Sequence, residues 1–195
     1  MSREISKISI VGSGNVAWHL AKQFVGAQIE VSHITGRNKD TCIDICNETD
    51  ATYVASVSDL PQDQLVIICT PDDSIASICT EIDESCPVAY TSGSVDLSSL
   101  PERNNLGVFY PLQTFSRSVA LDLSDVPFFI EATNEAFSKQ LFMLASQISS
   151  KVRIANSKER SELHLTAVFV NNFTNHILFK AQEYAESQSI DFSEL

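Results

Sequence analysis

Long apolar runs are missing from this 195-residue sequence. The longest, Leu65–Cys69 and Ala167–Val170 among them, are far too short to cross a bilayer. Positive charge is scarce: 13 Lys and Arg against 25 Asp and Glu leave a net charge of −12. That balance argues against a protein that coats nucleic acid or anionic lipid, so neither is expected as a partner. A small anionic ligand stays open, because it needs only a local cluster of donors. Metal-ligand spacing is lacking as well. Cys42 and Cys46 are four apart, but no second pair follows and Ile45 shares their helical face. They read as core residues, and no metal is expected. The first residues, Met1-Ser2-Arg3-Glu4, lead into a strand pattern with no apolar leader. Together with an odd number of cysteines, five, this favours reduced thiols and a cytoplasmic location.

What is present suffices for one sizeable core: 44% of residues are hydrophobic and 19% charged. Ser6–Val11 reads as a strand ending at Gly12. The period then changes, with Val16, Leu20 and Phe24 at i, i+4, i+8 and Ala17 and Ala21 beside them, which predicts a helix closed by Gly26. Strands are expected at Gln28–Ile34, Thr52–Ala55, Leu65–Cys69 and Val88–Thr91, with helices carrying Cys42, Ile45 and Cys46, then Ile75, Ile78, Cys79 and Ile82. Leu65–Cys69 is continuously apolar, as a central parallel strand covered on both faces should be. The alternation implies an α/β fold: a doubly wound, mostly parallel Rossmann-type sheet. Weaker strand signals follow at Gly107–Tyr110, Pro127–Glu131 and Lys151–Ala155, with a helix through Phe137, Leu141, Leu144, Ala145 and Ile148.

After Asn156 the character changes. Ser157 to about Ser187 contains no Gly or Pro and reads as one long helix. Two units are therefore expected, a nucleotide-binding domain over 1–155 and an all-α segment over 156–195. Leu163–Val170 is apolar nearly all round and has to be buried, yet one helix cannot bury itself. A homodimer through this helix is expected, and the helical unit is expected to be incomplete. Ile190–Leu195 reads as the start of a further helix.

Five groups of residues carry chemistry. Gly12-Ser13-Gly14-Asn15-Val16-Ala17 has the form of a dinucleotide fingerprint, with Ala in place of the third Gly, and it follows a strand and opens a helix. Gly12 would permit the tight turn, Gly14 would leave room for a pyrophosphate, and the free N–H groups at the helix start would receive the anion. At the end of the second strand stand Thr35-Gly36-Arg37-Asn38-Lys39, with no acid before Asp40. A ribose-binding carboxylate is absent, which disfavours NAD and methyltransferase sites. Arg37, with Thr35 and Asn38, suits a 2′-phosphate, so NADP is the expected cofactor. Thr70-Pro71 ends the central strand, where the nicotinamide end would pass. At least one of Asp72 and Asp73 is expected to cap the next helix. Two loops, Thr91-Ser92-Gly93-Ser94 and Phe109–Phe115, offer Ser92, Tyr110 and Gln113 to a small-molecule substrate, or else pack between domains. Last, Arg160, His164, Val168, Asn171, Asn172 and Asn175 share one face of the long helix, facing either a cleft or a second helix.

Several strings together resemble a known family. These are Gly12–Ala17, Thr70–Asp73, Ser92-Gly93, Tyr110-Pro111-Leu112-Gln113-Thr114-Phe115 and Glu162–Phe173 with its Leu163-His164 and Asn171-Asn172-Phe173. The chain is similar to Rossmann-like NADP oxidoreductases with a helical C-terminal domain of unknown function, type 2520. That family is related to deazaflavin-dependent NADP reductases, pyrroline-5-carboxylate reductases and β-hydroxyacid dehydrogenases. The resemblance implies an NADP domain, a helical dimerisation domain and an active site between them. Two departures matter. Family members often carry His-Pro where this chain has Tyr110-Pro111. If Asn172 takes the catalytic Asn position of β-hydroxyacid dehydrogenases, Val168 stands where their Lys would be. The expected function is an NADP(H)-dependent oxidoreductase acting on a small carbonyl or imine, with His164 as proton donor and Asn172 beside it. The alternative is an NADP-binding sensor or scaffold without turnover.

Overall fold

The computed structural model describes residues 5–194; the expectations for Met1–Glu4 and Leu195 lie outside the described residues. Eight strands form one sheet: β1 (Lys7–Val11), β2 (Glu30–Thr35), β3 (Thr52–Tyr53), β4 (Leu65–Ile68), β5 (Val88–Tyr90), β6 (Leu106–Pro111), β7 (Phe128–Ala132) and β8 (Val152–Ile154). Their spatial order is β3-β2-β1-β4-β5-β6-β7-β8. The first six are parallel, β7 runs antiparallel to β6, and β8 is parallel to β7. Helices α1 (Asn15–Gly26), α2 (Lys39–Thr49), α3 (Asp72–Glu81) and α4 (Glu135–Ser146) cover its faces. This is the α/β architecture expected from the alternation of periods. The strand order reverses at β1, between β2 and β4, and the crevice at their carboxyl ends is where such sheets bind ligands.

The pleat divides the core in two. Ile8, Ile10 and Ile67 point to one face with Leu20, Phe24, Ile45, Phe109 and Leu144. Val66, Ile68 and Tyr90 point to the other with Ile75, Cys79, Val108 and Phe129. Every residue of β4 is 0–1% exposed, so its unbroken apolar run is what a strand covered on both sides requires. Cys42 and Ile45 are buried with it and Cys46 is half-buried; all five cysteines are free thiols. The second strand begins two residues later than the sequence suggests, because Gln28, with φ of +63°, turns the chain out of α1.

The C-terminal helix departs from expectation in one way. It is continuous in direction but divided into α5 (Ser157–Ala167), a π-helical turn over Val168–Phe173, and α6 (Thr174–Ser187). Its apolar stretch is not buried within one chain: Phe169 is 59% and Val170 70% exposed, and Leu165, Phe173, Ile177 and Phe179 are also open. The reason is geometric. Only one stripe of a lone helix can touch the sheet domain, and here that stripe carries Leu163 and Arg160. Of the further helix expected to start at Ile190, the described residues contain a 3₁₀ turn at Phe192–Glu194.

Candidate functional site

The Gly-rich turn is clamped between two strands. Gly12 N–H donates to the Thr35 carbonyl at 2.7 Å, and Cys69 N–H donates to the Val11 carbonyl at 2.7 Å. Gly12 has φ of +120°, and a Cβ there would lie 2.4 Å from the Cys69 carbonyl oxygen. Glycine is therefore required at this crossing for the fold itself. Gly14 is different. It is the N-cap of α1 in extended conformation, and a Cβ on it would meet nothing within 4 Å. The space in front of it is open, as the approach of an anion to the start of α1 needs.

That space belongs to a cavity of about 600 Å³ lined by Gly12, Gly14, Thr35, Arg37, Thr70 and Pro71, among others. Arg37 lies exposed on its rim and makes no hydrogen bond or ion pair with the described residues. Asn38 instead caps α2, its Oδ1 accepting from Thr41 N–H at 3.2 Å, so its oxygen is committed. Ser13 Oγ shares a 2.6 Å bond with Thr41 Oγ1. Asn15 turns outward to donate to the Phe115 carbonyl, and Val16 packs partly into the core. Cys69 also lines the cavity, but burial pushes its thiol up to about 12, so it is no nucleophile near neutral pH.

The capping expectation for Asp72 and Asp73 is corrected. Pro71 is the N-cap, and both acids sit inside the first turn of α3, where they face the positive end of its dipole. The Asp72 carboxylate accepts a short bond from the Ser94 hydroxyl, tying this helix start to the next loop. Ser92 belongs to the same loop. Its Oγ accepts from Ser94 N–H and Val95 N–H, both at 3.1 Å, so it shapes the turn.

The second constellation lies where α5 crosses the ends of β5 and β6. Tyr110 Oη and His164 Nδ1 are 2.8 Å apart, with their rings edge to face. Gly93 makes the pairing fit: a Cβ there would come within 2.6 Å of the Tyr110 ring and 2.9 Å of His164 Nδ1. Burial pushes the Tyr110 phenol up to about 12, against a smaller opposing pull from Arg160. Tyr110 therefore stays protonated through the neutral range. One turn before His164, Arg160 is 1% exposed and pairs with Glu131. Its Nη2 also donates to the Val95 carbonyl at 2.5 Å, and Glu131 in turn accepts from Ser157 N–H and Oγ. This clasp sets the azimuth of α5 and hence of His164.

A cavity of about 380 Å³ opens beside the pair, lined by Tyr110, Gln113, Thr114, His164, Asn171 and Asn172 with apolar neighbours. The π turn brings both asparagines to it, and such turns recur at functional sites. Asn171 donates a short bond to Thr114 Oγ1, while the Asn172 side chain makes no hydrogen bond with the described residues. The His164 and Asn172 expected from the helix stripe thus come together with Tyr110 and Gln113. Glu131, read from the sequence only as the end of a strand, is the neighbour that spacing did not single out: it holds Arg160 and the start of α5. A larger cavity, about 780 Å³, lies beyond the amino end of β6, away from the Gly-rich turn, where four carboxylates (Glu84, Asp96, Glu102 and Glu131) outnumber Arg103 and Lys158.

Known proteins share this fold. Residues 7–89 match the family described as NADP oxidoreductase coenzyme F420-dependent, and residues 126–195 match domain of unknown function 2520. The chain joins these two family segments. The oxidoreductase segment contains the Gly-rich turn, Arg37 and Thr70-Pro71; the type 2520 segment contains His164 and Asn172. A proposed NADP oxidoreductase from Bacteroides fragilis is 29% identical, with a TM-score of 0.87 over 97% of this chain and 75% of that one. Pyrroline carboxylate reductase from Plasmodium falciparum, solved with NADP bound, has 12% identity and a TM-score of 0.67 over 97% and 73%. Imine reductase from Myxococcus stipitatus, in complex with NADP+, has 10% identity and a TM-score of 0.73 over 96% and 68%. The last two likenesses concern the fold alone. No curated protein matches the sequence significantly. Among the described residues, no helix is long and apolar enough to cross a membrane.

Proposed function

We propose that this protein is an NADP(H)-dependent oxidoreductase acting on a small carbonyl or imine. The observation that carries the reading is the Tyr110–His164 pair opening into a small polar cavity next to a dinucleotide-type crevice. The two are linked through the chain: Thr70-Pro71 lines the crevice, Asp72 binds Ser94, and Gly93 packs on Tyr110 and His164. The crevice fits a dinucleotide, because the turn leaves the front of Gly14 open and Arg37 stands unpaired on its rim. Gly12–Val16 would hold the pyrophosphate, Arg37 with Thr35 the 2′-phosphate, and Thr70-Pro71 would flank the nicotinamide. The bound cofactor would supply the hydride.

The chain's own residues would handle the proton. Tyr110 occupies Nδ1 of His164, so Nε2 is the nitrogen left for substrate. Donation from Nε2–H would neutralise the oxygen or nitrogen that gains negative charge, and the hydroxyl on Nδ1 would keep the ring aimed. Asn172 and Gln113 would orient the substrate. The preference for NADP(H) over NAD(H) rests on Arg37 and on the missing carboxylate after β2.

A second copy of the chain is the proposed cover for the exposed face of Leu165, Phe169 and Phe173, packing helix on helix across a two-fold axis. The functional reading is tested by following NADPH oxidation with a series of small ketones, aldehydes and cyclic imines, alongside calorimetric NADPH binding. Turnover with one of them, lost in His164→Ala while NADPH affinity is kept, supports the reading. Tight NADPH binding with no turnover throughout the series would make the protein a sensor instead.

A further inference from the structure

Resting on the cofactor reading above, we propose that Arg117 is a positioning residue that couples the dinucleotide turn to the substrate-side cavity through the strap Gln113–Arg117. The strap leaves β6 on the substrate side, where Gln113 and Thr114 line the cavity beside His164. It then crosses the Gly-rich turn and is fastened there three times. Asn15 Nδ2 donates to the Phe115 carbonyl at 2.9 Å, and His19 Nε2 lies 2.9 Å from the Ser116 carbonyl, its ring against Phe115. Arg117 Nη2 donates to the Ser13 carbonyl at 2.6 Å, between the two glycines of the fingerprint.

The guanidinium is held for that task. It lies over the Trp18 ring, 4.7 Å from the centroid, and its Nη1 is 3.7 Å from the Asp44 carboxylate. Stack and ion pair fix its plane, so the fork presents a directed donor to Ser13. The other end of the strap is tied to the helical unit by the Asn171 bond to Thr114. One short segment therefore touches α1 at its anion-binding end and the π turn that carries Asn172. A ligand that fixes Ser13 and Asn15 fixes the backbone these residues hold, and with it the wall presented to substrate. Coupling of this kind is reciprocal: a molecule seated against Thr114 and Asn171 tightens the dinucleotide turn by the same factor.

Hydrogen exchange with NADP+ as probe tests the inference. In the wild type, NADP+ should slow exchange in two separate peptides, 12–19 and 112–118. In Arg117→Ala the protection at 12–19 should persist, that at 112–118 should vanish, and NADP+ should bind roughly five- to tenfold more weakly. Arg117→Lys keeps the charge but loses the fork, and should fail at 112–118 as well. Slow exchange in β4 reports that the variants are folded. Protection at 12–19 without any at 112–118 in the wild type would overturn the coupling while leaving the cofactor reading intact. Protection at neither peptide would overturn the cofactor reading, and the strap with it.

Discussion

β4 and the segment Leu163–Val170 are both nearly continuous apolar runs, yet the first is wholly enclosed and the second lies largely open. The difference follows from what each element can collect around itself within one chain. A central strand gains neighbours on both edges from β1 and β5, and α1 and α3 supply apolar side chains to its two faces. A helix has no edges to share. It is buried only by elements on every side, and α5 touches the sheet domain along one stripe. The enclosed region therefore carries the stability of the molecule, and the open one leaves large apolar side chains in solvent. The candidate site lies along the seam between them, where Tyr110 from the enclosed part meets His164 from the open part.

The contrast can be broken most severely at Gly12. Gly12→Ala should destabilise the protein by ~2–4 kcal/mol, because the new Cβ collides with the backbone of the β4 terminus at a φ that alanine rarely adopts. Gly14→Val, two residues away, should cost far less, ~1 kcal/mol or under for the poorer N-cap, and abolish NADPH binding. Equal effects of the two on stability would mean that the turn is not clamped as described.

Arg37→Ala should next remove the preference for NADPH over NADH, a loss of ~1.5–3 kcal/mol that leaves NADH affinity alone. Equal affinities in the wild type would sink the assignment.

The enclosed region should also be the alkali-sensitive one. Burial raises the thiols of Cys79 and Cys69 from 9.0 to about 11 and about 12. In the unfolded chain these groups lose protons first as pH rises. The folded state then holds more protons than the unfolded one, and stability falls from pH 9 toward 11 by about 1.4 kcal/mol per pH unit for each group. Urea unfolding between pH 8 and 11 should show this decline, and Cys79→Val should make it shallower.

The smallest effect on stability, within ~0.5 kcal/mol, is expected for Leu165→Glu, since that side chain touches little of its own domain. Its effect on assembly should be complete: sedimentation at micromolar concentration should give a dimer for the wild type and a 21.5 kDa monomer for the variant. A wild-type monomer would leave the helix face without its proposed cover.

Sequence reasoning reached the sheet, the Gly-rich turn and the polar helix stripe because each is written in local periodicity. Ser6–Val11 alternates with period two, Asn15–Gly26 repeats with period 3.6, and the glycines mark the switch. The direction of β7 was not legible, since an apolar strand reads the same whichever way it runs. The π turn was not legible either: Ala167–Val170 is apolar on every side, so the change of phase that one extra residue makes leaves no mark there. Asp72 looked like a cap because its type fits, but Pro71 already held the extended conformation of that position, which moved both acids into the helix.

The sequence by itself determined which stretches become strands and helices, where the anion-binding turn lies, and that no acid stands at the end of β2. These properties depend on neighbours within a few residues. Only the tertiary structure decided that Tyr110 meets His164 across 54 residues, that Gly93 must lack a side chain for them to meet, and that Arg117 reaches back 104 residues to Ser13. Such contacts depend on how twisted strands and packed helices bring remote backbone together, and no local spacing encodes that distance.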